Sequence, residues 1–223
     1  MPMTPPDYSW HFTRGAAFAY EDGMTGTLAP VVMGDVTLPT GRIVACDPFV
    51  YLGTGDMEPF SVTVDPGRYR AEAAVATLVR PGDPQDARPH TRVAAARLVI
   101  RDAPATSWEM AVGEGQDPAV LGEDEFYGYG VDAGTGCFYD ACADGSFPGT
   151  EDEQGPVWAA MESAGDGPGV FLAEAEDGHT LAGFSSGWGD GCYPTWVGRD
   201  AEGRVTCFVT DFLVVPTAQV PPA

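Results

Sequence analysis

The chain has 223 residues, with 11 Lys and Arg against 33 Asp and Glu, which gives a formal net charge of −22 at pH 7. A charge this negative argues against nucleic acids and anionic membrane surfaces as partners, because contacts with phosphate groups need Lys and Arg. It favours a basic protein partner or a cationic ligand, whose approach the field of the protein would steer.

The first half of the chain predicts short strands separated by turns that contain Pro and Gly. The chain holds 20 Pro and 29 Gly, and closely spaced turn signals are typical of antiparallel β folds. A polar, Pro-rich loop at 80–91 separates two long apolar segments and so predicts an antiparallel pair. The strands predicted in this half cover residues 41–46, 60–64, 68–79, 92–101 and 107–112.

The second half continues the short strands and adds a short helix. Residues 199–203 predict a hairpin loop, with Gly203 at the position that needs a positive φ. Residues 157–163 predict a helix, since acidic residues at 151–153 lie where a helix N-terminus favours negative charge. A second helix is an option at 117–125. The strands predicted here cover residues 169–174, 180–184, 192–198 and 204–215.

These elements predict a mostly β fold: antiparallel sheets, arranged as a sandwich or as one strongly curled sheet, with one or two short helices. A chain of this length buries roughly 70% of the surface that its unfolded form exposes, so a core forms without disulfides. We therefore expect a single β-rich domain over residues 1–223, with loose tails at 1–9 and 216–223.

The negative charge is concentrated in the second half of the chain. Residues 1–110 hold nine Arg and 13 acids, whereas residues 111–223 hold two Arg and 20 acids, so the halves carry −4 and −18. No Lys or Arg occurs between Arg101 and Arg199. The absence of Lys and Asn, which have AT-rich codons, indicates a GC-rich genome. A salt-adapted surface is a further explanation of the acidic surplus.

The cysteines and the first residues indicate a cytoplasmic location. The number of cysteines is odd, and the chain starts without the basic and apolar regions of a signal peptide, so free thiols in a reducing compartment are expected. No apolar run approaches the length of about 18 residues that a transmembrane helix needs. The cysteines are Cys46, Cys137, Cys142, Cys192 and Cys207.

Two segments rich in Gly, Asp and aromatic residues, at 128–140 and 185–196, form the candidate site. Neither segment contains Lys, Arg or His, so their surface suits a cation or a basic protein. Trp188 lies between two glycines, which favours a platform for an apolar or cationic group over core packing. The candidate binding residues are Gly134, Thr135, Gly136, Trp188, Gly189, Gly191, Tyr193 and Trp196.

Four aspartates are candidate catalytic residues or ligands of a hard cation. Asp211 lies in an apolar strand, where a carboxylate is costly unless it is paired or hydrogen-bonded. Convergence of several carboxylates would indicate general acid–base chemistry or a Ca²⁺ or Mg²⁺ site. The alternative is structural, because Asp beside Gly commonly accepts hydrogen bonds from backbone amides in turns. The four candidates are Asp132, Asp140, Asp190 and Asp211.

Matches to cofactor and catalytic motifs do not carry a function here. Residues 128–133 match the dinucleotide fingerprint, but acidic residues precede them and no helical pattern follows. Residues 183–187 match the nucleophile elbow, yet no His follows it as the hydrolase order requires. The spacing of Cys137 and Cys142 is marginal for zinc. We predict no cofactor and no metal site, with a divalent cation as the option that the aspartates leave open.

Both segments resemble a bacterial family, the domain-of-unknown-function family numbered 4241. The resemblance rests on Val-Asp-Ala-Gly-Thr-Gly-Cys-Phe-Tyr-Asp-Ala at 131–141 and on Ser-Gly-Trp-Gly-Asp-Gly-Cys-Tyr-Pro-Thr-Trp at 186–196. It extends to residues 38–48, 66–69 and 209–214 and implies a single-domain bacterial protein without an assigned activity. The aspartates on the family's motifs are Asp47, Asp132, Asp140, Asp190 and Asp211.

Two functions remain open at this point. The first is a binding module, immunity-like or regulatory, whose acidic second half engages a basic partner. The second is a hydrolase that uses clustered aspartates, with or without a divalent cation. The −18 half and the lack of a triad favour binding, whereas Asp211 and the Gly-rich loops favour the enzyme. In a hydrolase, two of the carboxylates would lie about 5–9 Å apart and line one pocket.

Overall fold

The computed structural model describes residues 1–80, 82, 90–150 and 153–217. Two antiparallel sheets form the fold, which confirms the predicted mostly β architecture with short helices. Parts of the predicted loop, of the acidic run before the helix and of the C-terminal tail lie outside the described residues. The strands are β1 Ala17–Ala19, β2 Thr25–Leu38, β3 Ile43–Cys46, β4 Gly67–Val79, β5 His90–Val99, β6 Ser107–Met110, β7 Gly128–Val131, β8 Thr135–Asp140, β9 Val170–Glu174, β10 Thr180–Ser185, β11 Gly191–Arg199 and β12 Val205–Asp211. The α-helix is α1 Gly155–Ala164, and the short 3-10 helices are Tyr8–Phe12, Pro118–Val120 and Ala141–Ser146.

The larger sheet has eight strands in the order β1-β2-β4-β5-β12-β11-β6, with β7 also paired to β11. The smaller sheet has four strands in the order β3-β8-β10-β9. No helix among the described residues is long and apolar enough to cross a membrane.

The centre of the larger sheet is covered on both faces, and its sequence reflects this. A strand with one solvent-exposed face alternates between apolar and polar residues, whereas β4 carries six consecutive buried residues. Ala73 packs toward the smaller sheet, while its neighbour Ala74 packs on the outer face. Small side chains suit this position because both faces must accept a close neighbour.

Aromatic rings fill the space between the two sheets. Phe184 of β10 lies between Phe138 of β8 and Phe212, with ring centroids 5.1 Å and 5.6 Å away. Tyr193 of β11 meets Phe212 edge-on at 5.0 Å. This core joins strands that are distant in sequence and fixes how the sheets face each other.

The N-terminal segment covers the outer face of the larger sheet. Residues 1–9, expected as a loose tail, contain Tyr8, whose side chain is fully buried. Met3 donates a backbone hydrogen bond to the carbonyl of Glu125 at 2.9 Å. Tyr8 stacks on Trp196 of β11 with ring centroids 6.1 Å apart. The part of the outer face under Tyr8 is therefore a second, smaller core rather than a solvated surface.

Two of the predicted elements are wrong. Residues 60–64 form no strand, because their amides bond to separate places: Phe60 to the carbonyl of Ile43, and Ser61 to that of Val112. Residues 117–125 form a single 3-10 turn, Pro118–Val120, instead of a helix.

The long strand β2 has no counterpart among the predicted strands because Pro30 and Gly34 interrupt its pattern. The ladder with β4 is irregular between Val32 and Gly34, and Gly34 has a φ of 136° at this irregularity. Pro30 lies beyond the part of β2 that pairs with β1, so its missing N–H falls where β2 is an edge strand.

Substitution Phe208→Ala tests the packing between the sheets. Phe208 is fully buried and its ring stacks on Phe60 at 5.8 Å. We expect the free energy of unfolding in urea to fall by about 3–5 kcal/mol. The control Val32→Ala, at a residue that is 62% exposed, should change it by less than about 0.5 kcal/mol. A loss below about 1 kcal/mol for Phe208→Ala would show that this core is not tightly packed.

Candidate functional site

The two Gly- and Asp-rich segments meet at two of the four places where the chain crosses between the sheets. The first crossing leads from β7 in the larger sheet to β8 in the smaller one, and the second leads from β10 back to β11. Because β8 pairs with β10 and β7 pairs with β11, the crossings lie side by side. We call residues 132–134 and 186–190 together the sheet corner.

Hydrogen bonds tie the two crossings to each other. The amide of Gly134 donates to Oδ1 of Asp190 at 3.2 Å, and the amide of Ser186 donates to the carbonyl of Gly134 at 3.0 Å. The hydroxyl groups of Ser186 and Tyr193 both donate to the carbonyl of Gly189 at 2.7 Å. The sheet corner is thus closed by its own polar groups.

Asp47 holds the first crossing in place through hydrogen bonds from its backbone amides. Its fully buried carboxylate accepts hydrogen bonds from the amides of Asp132 at 3.0 Å and Ala133 at 2.6 Å through Oδ2. Its Oδ1 accepts the amide of Phe49 at 2.9 Å. A buried carboxylate is tolerated when several donors satisfy it, and these three amides do so. Asp47 was not among the four candidate aspartates, although the family resemblance placed it on a motif.

Three glycines of the two segments are required by close packing or by a left-handed backbone conformation. A Cβ atom on Gly128 would lie 2.5 Å from the carbonyl oxygen of Tyr193, and one on Gly136 would lie 2.5 Å from the hydroxyl of Tyr129. Gly187 has a φ of 60°, a left-handed conformation that favours glycine. The glycine pattern therefore has an architectural cause.

The structure brings two of the four candidate aspartates to the corner and leaves two elsewhere. Asp132 and Asp190 are both exposed on the crossings. Asp140 lies at the far end of β8, about 17 Å of strand away, and Asp211 lies on the outer face. None of the four lines the acidic, apolar or arginine-lined walls of five cavities in the described part of the structure.

Asp140 is held by local donors. It accepts the amides of Thr40 and Gly41 at 2.9 Å and 3.0 Å through Oδ2, and the amide of Cys142 at 3.0 Å through Oδ1. Burial by itself would raise the pKa of Asp140, but the hydrogen bonds from Thr40 and Cys142 outweigh it and hold the pKa below its usual value. This carboxylate fastens β8 to the turn before β3.

Asp211 lies under the N-terminal segment. Its Oδ2 accepts the hydroxyl of Tyr8 at 3.0 Å, and its Oδ1 accepts the amide of Leu213 at 2.8 Å. Burial raises the pKa of Asp211 to about 6, despite these two hydrogen bonds. His11, whose ring centroid lies 5.3 Å from that of Tyr8, is also buried, and burial lowers its pKa to about 4. The predicted need for a partner is met by Tyr8.

The eight candidate binding residues do not share one surface. Trp188 is 52% exposed at the corner, and the guanidinium carbon of Arg92 lies 5.4 Å from its ring centroid. The predicted aromatic platform is therefore in contact with an arginine of the protein itself. Trp196 is buried on the outer face against Tyr8. Thr135, Gly136 and Tyr193 are buried, whereas Gly134, Gly189 and Gly191 lie at or beside the corner.

Within the described part of the chain, no group of three or more His, Cys, Asp or Glu side chains is arranged to hold a metal ion. Two of the four candidate cation ligands, Asp140 and Asp211, have carboxylates that are engaged with hydrogen-bond donors of the protein itself.

A groove of about 630 Å³ lies between the start of α1 and the turn that joins β9 to β10. Glu174, Glu176 and Asp177 line one wall, and Pro156 and Ala159 of α1 line the other. We call it the acidic groove. The sequence signal for it was the run Glu-Ala-Glu-Asp at 174–177 between two short strands, beside the predicted helix.

The acidic groove keeps two of its carboxylates unengaged. Asp177 is fixed by the hydroxyl of Ser146 at 2.7 Å, and this hydrogen bond lowers the pKa of Asp177. Glu174 and Glu176 are exposed, and their side chains form no hydrogen bond or ion pair with the described residues. The free carboxylates can therefore contact a cation from outside.

Comparison with known proteins gives one match. A family model described as "Protein of unknown function (DUF4241)" matches residues 36–210, which include both crossings and the acidic groove. No curated protein and no solved structure matches the chain.

Substitution Asp47→Asn tests the support of the corner. The amide group of Asn presents one acceptor oxygen and one donor group to three backbone N–H groups, so at least one of these amides loses its acceptor. We expect the free energy of unfolding to fall by about 2–4 kcal/mol, measured in urea. Asp132→Asn, which changes an exposed carboxylate of the same crossing, should stay within about 0.5 kcal/mol of the wild type. Equal small effects of both substitutions would contradict the role of Asp47.

Substitution Asp211→Asn tests the buried carboxyl. Because folding raises its pKa from 3.8 to about 6, the stabilising protonated form is present below pH 4 and is lost as the pH rises to 6. The stability of the wild type relative to the variant should fall by up to about 3 kcal/mol across this window. Taking this difference also removes the opposite contribution of His11, which both proteins share. A difference that is constant between pH 4 and 6 would show that the carboxyl titrates normally.

Proposed function

Because the chain belongs to a family of proteins of unknown function, DUF4241, we propose its function from its own surface: it is a binding module whose acidic second half engages a basic protein partner or a cationic ligand. The acidic groove is the centre of this surface. A cytoplasmic location suits the proposal, since the five cysteines are free thiols.

The distribution of ion pairs carries the proposal. Among the described residues, the arginine ion pairs involve Asp22, Glu72, Glu109, Asp200 and Glu202. Among these described residues, no acid between positions 111 and 198 forms an ion pair with an arginine. Uncompensated charges of one sign repel each other, and a basic partner would relieve this repulsion while the field speeds its approach.

The shape of the acidic groove suits a lysine or arginine side chain. The aliphatic stem of such a side chain can lie along Pro156 and Ala159, while its charged head reaches Glu174 and Glu176. The groove can therefore contact both the aliphatic stem and the charged head of such a side chain, whereas a flat acidic surface would contact only the charged head.

The alternative function, a hydrolase that uses clustered aspartates, has less support. Asp140 and Asp211 are engaged with local donors at separate places, and neither faces a cavity described above.

The experiment measures the binding of a fluorescently labelled octa-arginine peptide by anisotropy. The variant Glu174→Gln/Glu176→Gln should weaken binding about threefold to tenfold, because it removes the two free carboxylates of the groove. The control Glu123→Gln/Asp124→Asn removes the same charge from exposed acids elsewhere and should weaken binding by less than about twofold. For the wild type, affinity should fall as NaCl rises from about 0.05 to 0.5 M.

Two results would contradict the proposal. Equal weakening by both double variants would mean that net charge alone attracts the peptide and that the groove is not a docking site. The absence of salt-sensitive binding would mean that the acidic half does not engage basic partners.

A further inference from the structure

A cavity of about 240 Å³ on the outer face of the larger sheet has the opposite character to the acidic groove. Arg70, Arg97 and Arg101 line it, three of the 11 arginines in a chain of net charge −22. We call it the arginine pocket. Trp108 and Cys207 contribute its apolar surface.

Strand register builds the arginine pocket. Arg70 of β4 pairs with Val99 of β5, Val99 pairs with Cys207 of β12, and Cys207 pairs with Gly198 of β11. Gly198 in turn pairs with Trp108 of β6. The row therefore runs from a guanidinium across a thiol to an indole, and its members share one face of the sheet.

Gly198 leaves the space that the indole occupies. A Cβ atom at this position would lie 2.9 Å from the ring of Trp108 and 2.8 Å from the sulfur of Cys207. The absent side chain lets Trp108 lean over the sheet and form a wall opposite the arginines.

Glu72 and Phe12 set the position of two arginines. The carboxylate of Glu72 accepts Nε of Arg70 at 2.7 Å and also binds a terminal nitrogen of Arg97. The guanidinium carbon of Arg97 lies 3.9 Å from the ring centroid of Phe12, so one face of this cation rests on an aromatic ring. Both cations are thus held in place before any ligand arrives.

Donors remain unused in the pocket. Nε of Arg97 is buried and has no hydrogen-bond partner in the described structure. Arg101 is exposed and forms no ion pair with a described residue. The three guanidinium groups outnumber the nearby carboxylates of Glu72 and Asp102, so the net charge of the pocket is positive.

We propose that the arginine pocket binds a small organic oxyanion, a carboxylate or a phosphate monoester, with the charged group on the guanidinium donors and the organic part against Trp108. Guanidinium groups bind both kinds of oxyanion through paired N–H donors. The indole and the thiol favour a ligand with an apolar part over a bare inorganic ion. The site is separate from the acidic groove and binds ligands of the opposite charge.

The test titrates phenyl phosphate, benzoate and inorganic phosphate into the full chain by isothermal calorimetry. Arg101→Gln should weaken the binding of phenyl phosphate or benzoate about tenfold. Arg101 is exposed and unpaired among the described residues, so its replacement leaves the fold intact. Arg42→Gln, at another exposed arginine outside the pocket, changes the net charge equally and should leave the affinity unchanged.

A second variant separates the apolar wall from the charge. Trp108→Ala should reduce the preference for phenyl phosphate over inorganic phosphate while retaining the binding of inorganic phosphate. Saturable binding of either organic anion that weakens in Arg101→Gln and not in Arg42→Gln supports the proposal. No saturable binding of either organic anion, or equal losses in the two arginine variants, would overturn it.

Discussion

The sheet corner is the constraint on which the rest of the structure depends. Two of the four crossings between the sheets form it, and they must lie against each other because their flanking strands are paired on both sides. Asp47 holds one crossing by its amides, and Asp190 joins it to the other. Glycines allow the backbone and side chains of the neighbouring strands to approach closely here. This junction, together with the aromatic core between the sheets, fixes their relative position.

This structural role leaves the contacts with other molecules to other parts of the surface. The most conspicuous motifs of the sequence, rich in Gly and Asp, are occupied in holding the junction together. Two features left free to meet other molecules contain none of its residues: the acidic groove beside α1 and the arginine pocket on the outer face. Their opposite charges fit a protein that binds more than one kind of ligand, in a chain whose arginines are concentrated in its first half.

The sequence predicted strands well where local signals and tertiary demands agree, as in β4, β5 and the hairpin at Gly203, whose φ is 77°. It did not reveal β2. This strand tolerates Pro30 because its missing N–H lies on an unpaired edge, and it tolerates Gly34 because the ladder with β4 is irregular there. Both features depend on partners that are distant in the chain. For the same reason, it could not separate a catalytic cluster from a junction. That Asp211 meets Tyr8, 203 residues away, is decided by the fold alone.

Amide hydrogen exchange at Asp132, Ala133 and Gly134, followed by NMR, is the most direct measurement of the junction. Their amides bond to Asp47 and Asp190, so we expect slow exchange in the protein alone, comparable to that of core strands such as β4. Added Ca²⁺ or octa-arginine should leave these rates unchanged. Exchange as fast as in an unfolded chain, slowed only after Ca²⁺ or the peptide is added, would contradict the account and identify these residues as a ligand-binding loop.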